Sequence, residues 1–203
     1  KCALEDPNVE RLQAVVDAVG PDFKVTIDPN CRFHLPCHAI ALADALGDLR
    51  QSVAVFEDPV PKGNLDWYVL LRQQLQVPIA LHLGSGRAVF DAVRRGAVDM
   101  LNISPYSMVE FVRQCYIAEQ AGVPVWHGSG VDLGILDMSY VHACAAAPAA
   151  TLPSDIVGNF VRDDDLIVDP IVIRDGCAEV PDKPGLGIEL DEAAVAEYEV
   201  SRD

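Results

Sequence analysis

One unit recurs along this chain about every 25 residues: a short β-branched run ends in a polar residue, a turn follows, then an amphipathic helix, then a Gly or Pro. Six runs fit the strand half: Lys24–Asp28, Val53–Glu57, Pro78–His82, Val98–Ile103, Val123–His127 and Thr151–Asp155. Each is short, largely apolar and bounded by breakers, as strands buried on both faces of a parallel sheet are. Between them the period changes to 3.6 residues; Val9, Leu12, Val15, Val16 and Val19 fall on one helical face. Pro36 opens a helix where its missing N–H is harmless. Gly122 and Pro124 mark the exit from a helix near Phe111–Ala121. Strict alternation of strand and helix predicts an α/β fold with a parallel sheet.

An open dinucleotide-binding sheet would carry GxGxxG after its first strand, and the sequence has none. Nearly every run instead closes on a polar residue. A (β/α)₈ (TIM-type) barrel predicts that, because its active site collects strand ends from all round the ring. Six internal strands, with Lys1 read as the end of another, fall short of the eight that such a barrel packs into about 250 residues. The expectation is therefore a barrel over residues 1–166 that is incomplete at its N-terminus, with at least one βα unit upstream. Residues 167–203 read as a C-terminal appendage packed on the barrel or on a missing N-terminal domain. It holds two strand-like pieces, a turn at Pro184, Gly185 and Gly187, and an acidic helix, Glu192–Tyr198.

Composition narrows the partners. Half of the 203 residues are hydrophobic, enough for the core of one domain. A formal net charge of −16 with no Lys/Arg cluster repels polyanions, so nucleic acid is not an expected partner. No apolar run approaches the roughly 20 residues of a membrane span, and no secretory leader is visible. The six cysteines (Cys2, Cys31, Cys37, Cys115, Cys144, Cys177) form no CxxC pair, which points to a reducing, cytoplasmic setting.

The strand ends carry the chemistry. Asp28 and Glu57 close neighbouring strands and form an oxygen-rich pair suited to a hard cation such as Mg²⁺, with Mn²⁺ an alternative. His82 closes the next strand and is the natural third ligand, although imidazole is softer than carboxylate. Lys1 and His127 close strands on opposite sides and suit proton transfer at a carbon acid beside a carboxylate, whose enediolate a metal would stabilise. Asn102, Ser104, Asp132 and Asp155 are expected to line the pocket. Each residue also has a plainer role: Asp28 as a helix cap, Glu57-Asp58-Pro59 as turn chemistry, a lone His as a structural hydrogen-bonder. Cys31, His34, Cys37 and His38 suggest zinc, but Pro36 sets Cys37 and His38 on a first helical turn, pointing apart. The loops Gly84-Ser85-Gly86 and Gly128-Ser129-Gly130 expose N–H groups that could hold a carboxylate, or simply turn the chain.

With these residues in view, the chain resembles the enolase superfamily, mandelate racemase/muconate lactonizing enzyme type. The resemblance rests on VTIDPN (25–30), VAVFEDPV (53–60), VPIALH (77–82), AVDMLNI (97–103) and PDKPGLGIEL (181–190). It implies three acidic Mg²⁺ ligands at the ends of the family's third, fourth and fifth barrel strands, the first two being Asp28 and Glu57. The third position, normally acidic, is His82. Lys1 looks like the second lysine of the family's Lys-x-Lys pair, and His127 matches its seventh-strand histidine. Ser104 stands where muconate-type members carry a lysine, and Asp99 lies too early in its strand to be the aspartate that mandelate-type members place there. The implied activity is abstraction of the α-proton of a small carboxylate, a hydroxy acid or acid sugar, leading to racemisation, epimerisation or dehydration. Cycloisomerisation is a further outcome within the same family. A homo-oligomer is implied by the resemblance alone. The competing readings are a non-catalytic barrel that binds a small acid without turnover, and a zinc hydrolase using His82, His127 and Asp28.

Overall fold

The computed structural model describes residues 1–200. Its centre is a five-stranded parallel sheet in sequential order: β1 (Val25–Ile27), β2 (Val53–Glu57), β3 (Ile79–Leu83), β4 (Met100–Ile103) and β5 (Val125–His127). Six helices alternate with or flank these strands: α1 (Asn8–Val19), α2 (Pro36–Leu46), α3 (Leu65–Gln74), α4 (Gly86–Arg95), α5 (Met108–Gln120) and α6 (Gly134–Ala145). Local chemistry sets their ends. Asn64 and Ser85 cap α3 and α4 through their side-chain oxygens. Gly96 then ends α4 in the left-handed conformation, just beyond Arg94 and Arg95.

The period of two along each strand separates two layers. Ile79, Leu81, Leu101, Ile103 and Val125 point into the main core with Leu71, Val89 and Phe111 of the helices. Val55, Ala80 and Trp126 form a smaller cluster on the other face. Residues in step with that cluster (Glu57, His82 and Asn102) therefore leave the sheet on the face away from the helices. At the opposite end of the strands, Asp99 is a strut: Arg72 holds its Oδ1 at 2.9 Å and the Ile79 N–H donates to Oδ2 at 2.8 Å.

Two expectations change. Thr151–Asp155 does not form a strand. It runs beside β5 with only two backbone bonds, Leu152 N–H to Val125 O (3.2 Å) and Asp155 N–H to His127 O (2.9 Å). Pro153 lies between them and has no N–H to continue a ladder. Lys1–Ala3 likewise lies outside the sheet, tied to the end of β1 by the Cys2 N–H on Asp28 O at 3.1 Å. Among the described residues the ladder runs from β1 to β5, and the full closed ring is not formed. After α6 come the two-residue strands β6 (Ile173–Arg174) and β7 (Cys177–Ala178), paired antiparallel, and α7 (Glu192–Glu197). Ile167 and Ile171 pack on Met138 and Val141 of α6. The final residues of the expected appendage, 201–203, lie outside the described residues.

Candidate functional site

Asp28 lies just past β1, and Glu57 ends β2; both carboxylates are buried. Lys1 forms an ion pair with Asp28, whose other oxygen accepts the Asn30 N–H at 2.7 Å. Glu57 Oε1 accepts a hydrogen bond from Asn102 Nδ2 at 2.7 Å and lies 3.9 Å from His82 Nδ1. Burial, reinforced by the charge of Asp28, pushes the Glu57 carboxyl up to about 7. A buried carboxyl held that high has no matching cation at its own oxygens, and a divalent ion would supply one. Burial and the nearby Lys62 charge lower the His82 pKa, keeping its imidazole neutral and able to ligate. On these grounds the residues fit a cation.

Among the described residues, the group whose candidate ligand atoms all lie within 4.8 Å of one another is Glu57, Asp58 and His82; Asp28, the expected third member, is not in it. The oxygens of Asp58 are already engaged, however. Oδ1 accepts the His82 N–H at 3.0 Å, and Oδ2 pairs with Lys62 Nζ at 2.7 Å. Lys62 also donates to the His82 carbonyl at 2.5 Å. Asp58 and Lys62 thus grip the main chain of His82 on both sides. From sequence, Asp58 has only a part in turn chemistry and Lys62 is not singled out, although their i,i+4 spacing directly after a strand-end Glu is a usable signal.

His127 is placed differently from the other strand-end residues. It pairs with Ile103 across the sheet and so faces the helices, stacked on Tyr140 with ring centroids 3.5 Å apart and edge-on to Phe111. Its Nδ1 contacts Ile103 O at 3.1 Å. A carbonyl only accepts, so Nδ1 carries the proton and Nε2 holds the lone pair, which has no protein partner. Burial lowers its pKa to about 4. The side-chain direction next along the strand belongs to Gly128, where a Cβ would stand only 2.1 Å from Asn102 Oδ1. Asn102 fills that space and reaches Glu57. Gly128→Ala is accordingly expected to push Asn102 off Glu57 and to cost about 2–3 kcal/mol, read from thermal unfolding.

A cavity of about 110 Å³ is lined by His82, Ser104, His127, Gly128, Ser129 and Asp132, among others. Ser104 donates to the Gly128 carbonyl, and Asp132 accepts from Ser129 Oγ at 2.9 Å. Of the expected pocket residues, Ser104 and Asp132 therefore line this cavity with His82 and His127, while Asn102 stands behind Glu57. Asp155 is exposed and is held through its backbone beside His127. The Cys31, His34, Cys37 and His38 group does not gather into a metal cluster among the described residues.

Residues 5–194 match the family model described as enolase C-terminal domain-like. The chain belongs to the enolase superfamily, of the mandelate racemase/muconate lactonizing type. Among its relatives, an N-succinylamino acid racemase from Amycolatopsis sp is 31% identical over 189 residues, covering 89% of this chain and 49% of the relative. An arabinonate dehydratase from Saccharolobus solfataricus is 26% identical, covering 95% and 52%. The structure of an N-succinyl Arg/Lys racemase from Bacillus cereus superposes with a TM-score of 0.90 at 23% identity, covering 99% of this chain and 55% of that one. The chain spans about half the length of the curated relatives it matches. Cycloisomerases also stand among the relatives, one of them a D-galactarolactone cycloisomerase from Agrobacterium fabrum, 28% identical and covering 92% of this chain and 52% of that one. No helix among the described residues is long and apolar enough to cross a membrane.

Proposed function

We propose that the protein is a divalent-metal-dependent enzyme that abstracts the α-proton of a small carboxylate, leading to racemisation, epimerisation, cycloisomerisation or dehydration. The observation that carries this reading is the buried pair Asp28 and Glu57 on neighbouring strand ends, with the His82 imidazole beside Glu57. Asp28, Glu57 and His82 would hold Mg²⁺ or Mn²⁺. Bound there, the ion supplies positive charge to the substrate carboxylate and to the negative charge that develops next to it. The proposed setting is a complete (β/α)₈ barrel, in keeping with the relatives' greater length.

Lys1 is assigned the proton transfer. Its ammonium lies against Asp28, and its side chain is 65% exposed, so it reaches both the site and solvent. His127 is assigned a lesser part, because a base with a pKa near 4 is poorly matched to neutral pH. Its unpartnered Nε2 accepts a hydrogen bond from a substrate hydroxyl in the cavity it shares with His82. Ser104 and Asp132 line that pocket, and Asp155 stands near Lys1. Candidate substrates are hydroxy acids, acid sugars and, in view of the racemase relatives, N-acyl amino acids.

The test is a screen of these acids with the complete protein in D₂O containing Mg²⁺ or Mn²⁺. Solvent deuterium entering the α-carbon supports the reading, even where no net product forms; specific binding of an acid with no exchange would favour a non-catalytic binding role.

His127→Gln separates the two assignments. It is expected to lower exchange by about tenfold, less than loss of a base would, and to cost about 2 kcal/mol of stability from the lost stack. In the folded protein the His127 pKa lies below its unfolded value of 6.5, so the unfolded chain binds the extra proton first. The histidine's stabilising contribution is thus lost as pH falls from 6.5 toward about 4, and the variant should lack that part of the acid sensitivity. Melting curves across this range check it.

A further inference from the structure

We infer that the strand-end site discriminates among divalent cations, and that the His82 imidazole, carried on a clamped main chain, turns its preference away from Mg²⁺ toward Mn²⁺. This rests on the reading above, in which Asp28, Glu57 and His82 share one ion.

The donor set differs from an all-oxygen site in kind and in charge. Mg²⁺ is a hard ion that favours oxygen ligands and retained water. A nitrogen donor shifts affinity toward first-row transition ions. Replacing a third carboxylate by a neutral ring also removes one negative charge, on which a hard cation depends most. Asp58 does not restore that charge, because the His82 N–H and the Lys62 ammonium already occupy its two oxygens.

The same contacts fix the main chain that carries the imidazole. The His82 N–H is held by Asp58 at 3.0 Å and its carbonyl by Lys62 at 2.5 Å, so the backbone keeps the ring's point of attachment at the strand end beside Glu57. Asp58 adopts a left-handed backbone, φ 42°, a conformation that only a few per cent of non-glycine residues take. That turn directs its carboxylate back across the strand end to His82. Strain of this sort gathers where the surroundings enforce a particular geometry. No hydrogen bond from the ring to protein is found among the described residues, and its Nδ1 lies 3.9 Å from Glu57 Oε1. A ring so placed, with its main chain gripped and its nitrogen facing a buried carboxylate, is a ligand in waiting.

The complete protein, stripped of metal, is titrated calorimetrically with MnCl₂ and with MgCl₂, as wild type, as His82→Asp and as Glu57→Gln. The ratio of Mn²⁺ to Mg²⁺ affinity is expected to fall by about tenfold or more in His82→Asp, chiefly through gained Mg²⁺ affinity. Pulsed EPR of the Mn²⁺-loaded wild type is expected to show coupling to a directly bound nitrogen, lost in the variant. That spectrum decides the matter by itself if His82→Asp does not fold. An unchanged ratio, or no nitrogen coupling, overturns the inference while leaving the metal site intact, provided that Glu57→Gln still abolishes binding. Absence of saturable binding by either ion removes the metal-dependent reading and the inference together.

Discussion

Glu57→Gln is expected to abolish specific divalent binding and to lower α-proton exchange by roughly 10³-fold, while making the metal-free protein more stable. The two effects share one cause. Glu57 is buried beside Asp28, and its carboxyl is held up at about 7 against an ordinary 4.5. Between these values the folded chain keeps a proton that the unfolded chain has released, so stability falls as pH rises through that window. Gln has the same shape, can still accept the Asn102 hydrogen bond, and never ionises. It should therefore stabilise the metal-free protein by about 2–3 kcal/mol at pH 8, an advantage that shrinks toward zero at pH 5. Excess Mn²⁺ should reverse the order, because only the wild type gains binding energy on folding. Melting temperatures with chelator and with Mn²⁺, at both pH values, read the whole pattern. A variant that is less stable without metal at pH 8 would contradict it.

Lys1→Met is expected to lower exchange by about 10³-fold, the range of a lost acid or base, and yet to tighten metal binding. In the metal-free protein burial pulls the Lys1 pKa down, but the Asp28 hydrogen bond and charge outweigh that and hold it above the usual lysine value. Lys1 and a cation compete for one carboxylate, and removing the competitor favours the cation. The ion pair itself contributes little to stability, since Lys1 is mostly exposed. A structural lysine would give the opposite result, with weaker metal binding and unchanged exchange. Single-turnover exchange beside Mn²⁺ titration distinguishes the two.

Much of the fold could be read from the sequence because strand period, helix period and breakers agree along most of the chain. Asp28, Glu57 and His82 stood out because a polar residue closing an apolar run is conspicuous. Thr151–Asp155 misled because its composition resembles a strand end, although Pro153 cannot donate to a ladder. The face taken by His127 was within reach: counting by twos from Val125 sends Trp126 to one side and His127 to the helices. What no count along the chain could reveal is the set of contacts closed in space. Asn102 fills the room left by Gly128 to reach Glu57, and Asp58 with Lys62 grips His82 from a neighbouring strand. These depend on register between strands, which local pattern does not specify.

The most direct measurement is anomalous diffraction from crystals of the complete protein soaked in Mn²⁺. A single peak bound by Asp28, Glu57 and His82, with Asp58 still paired to Lys62, is the predicted result. A peak coordinated by Asp58 instead of Asp28, or no ordered ion between these strand ends, would contradict the account.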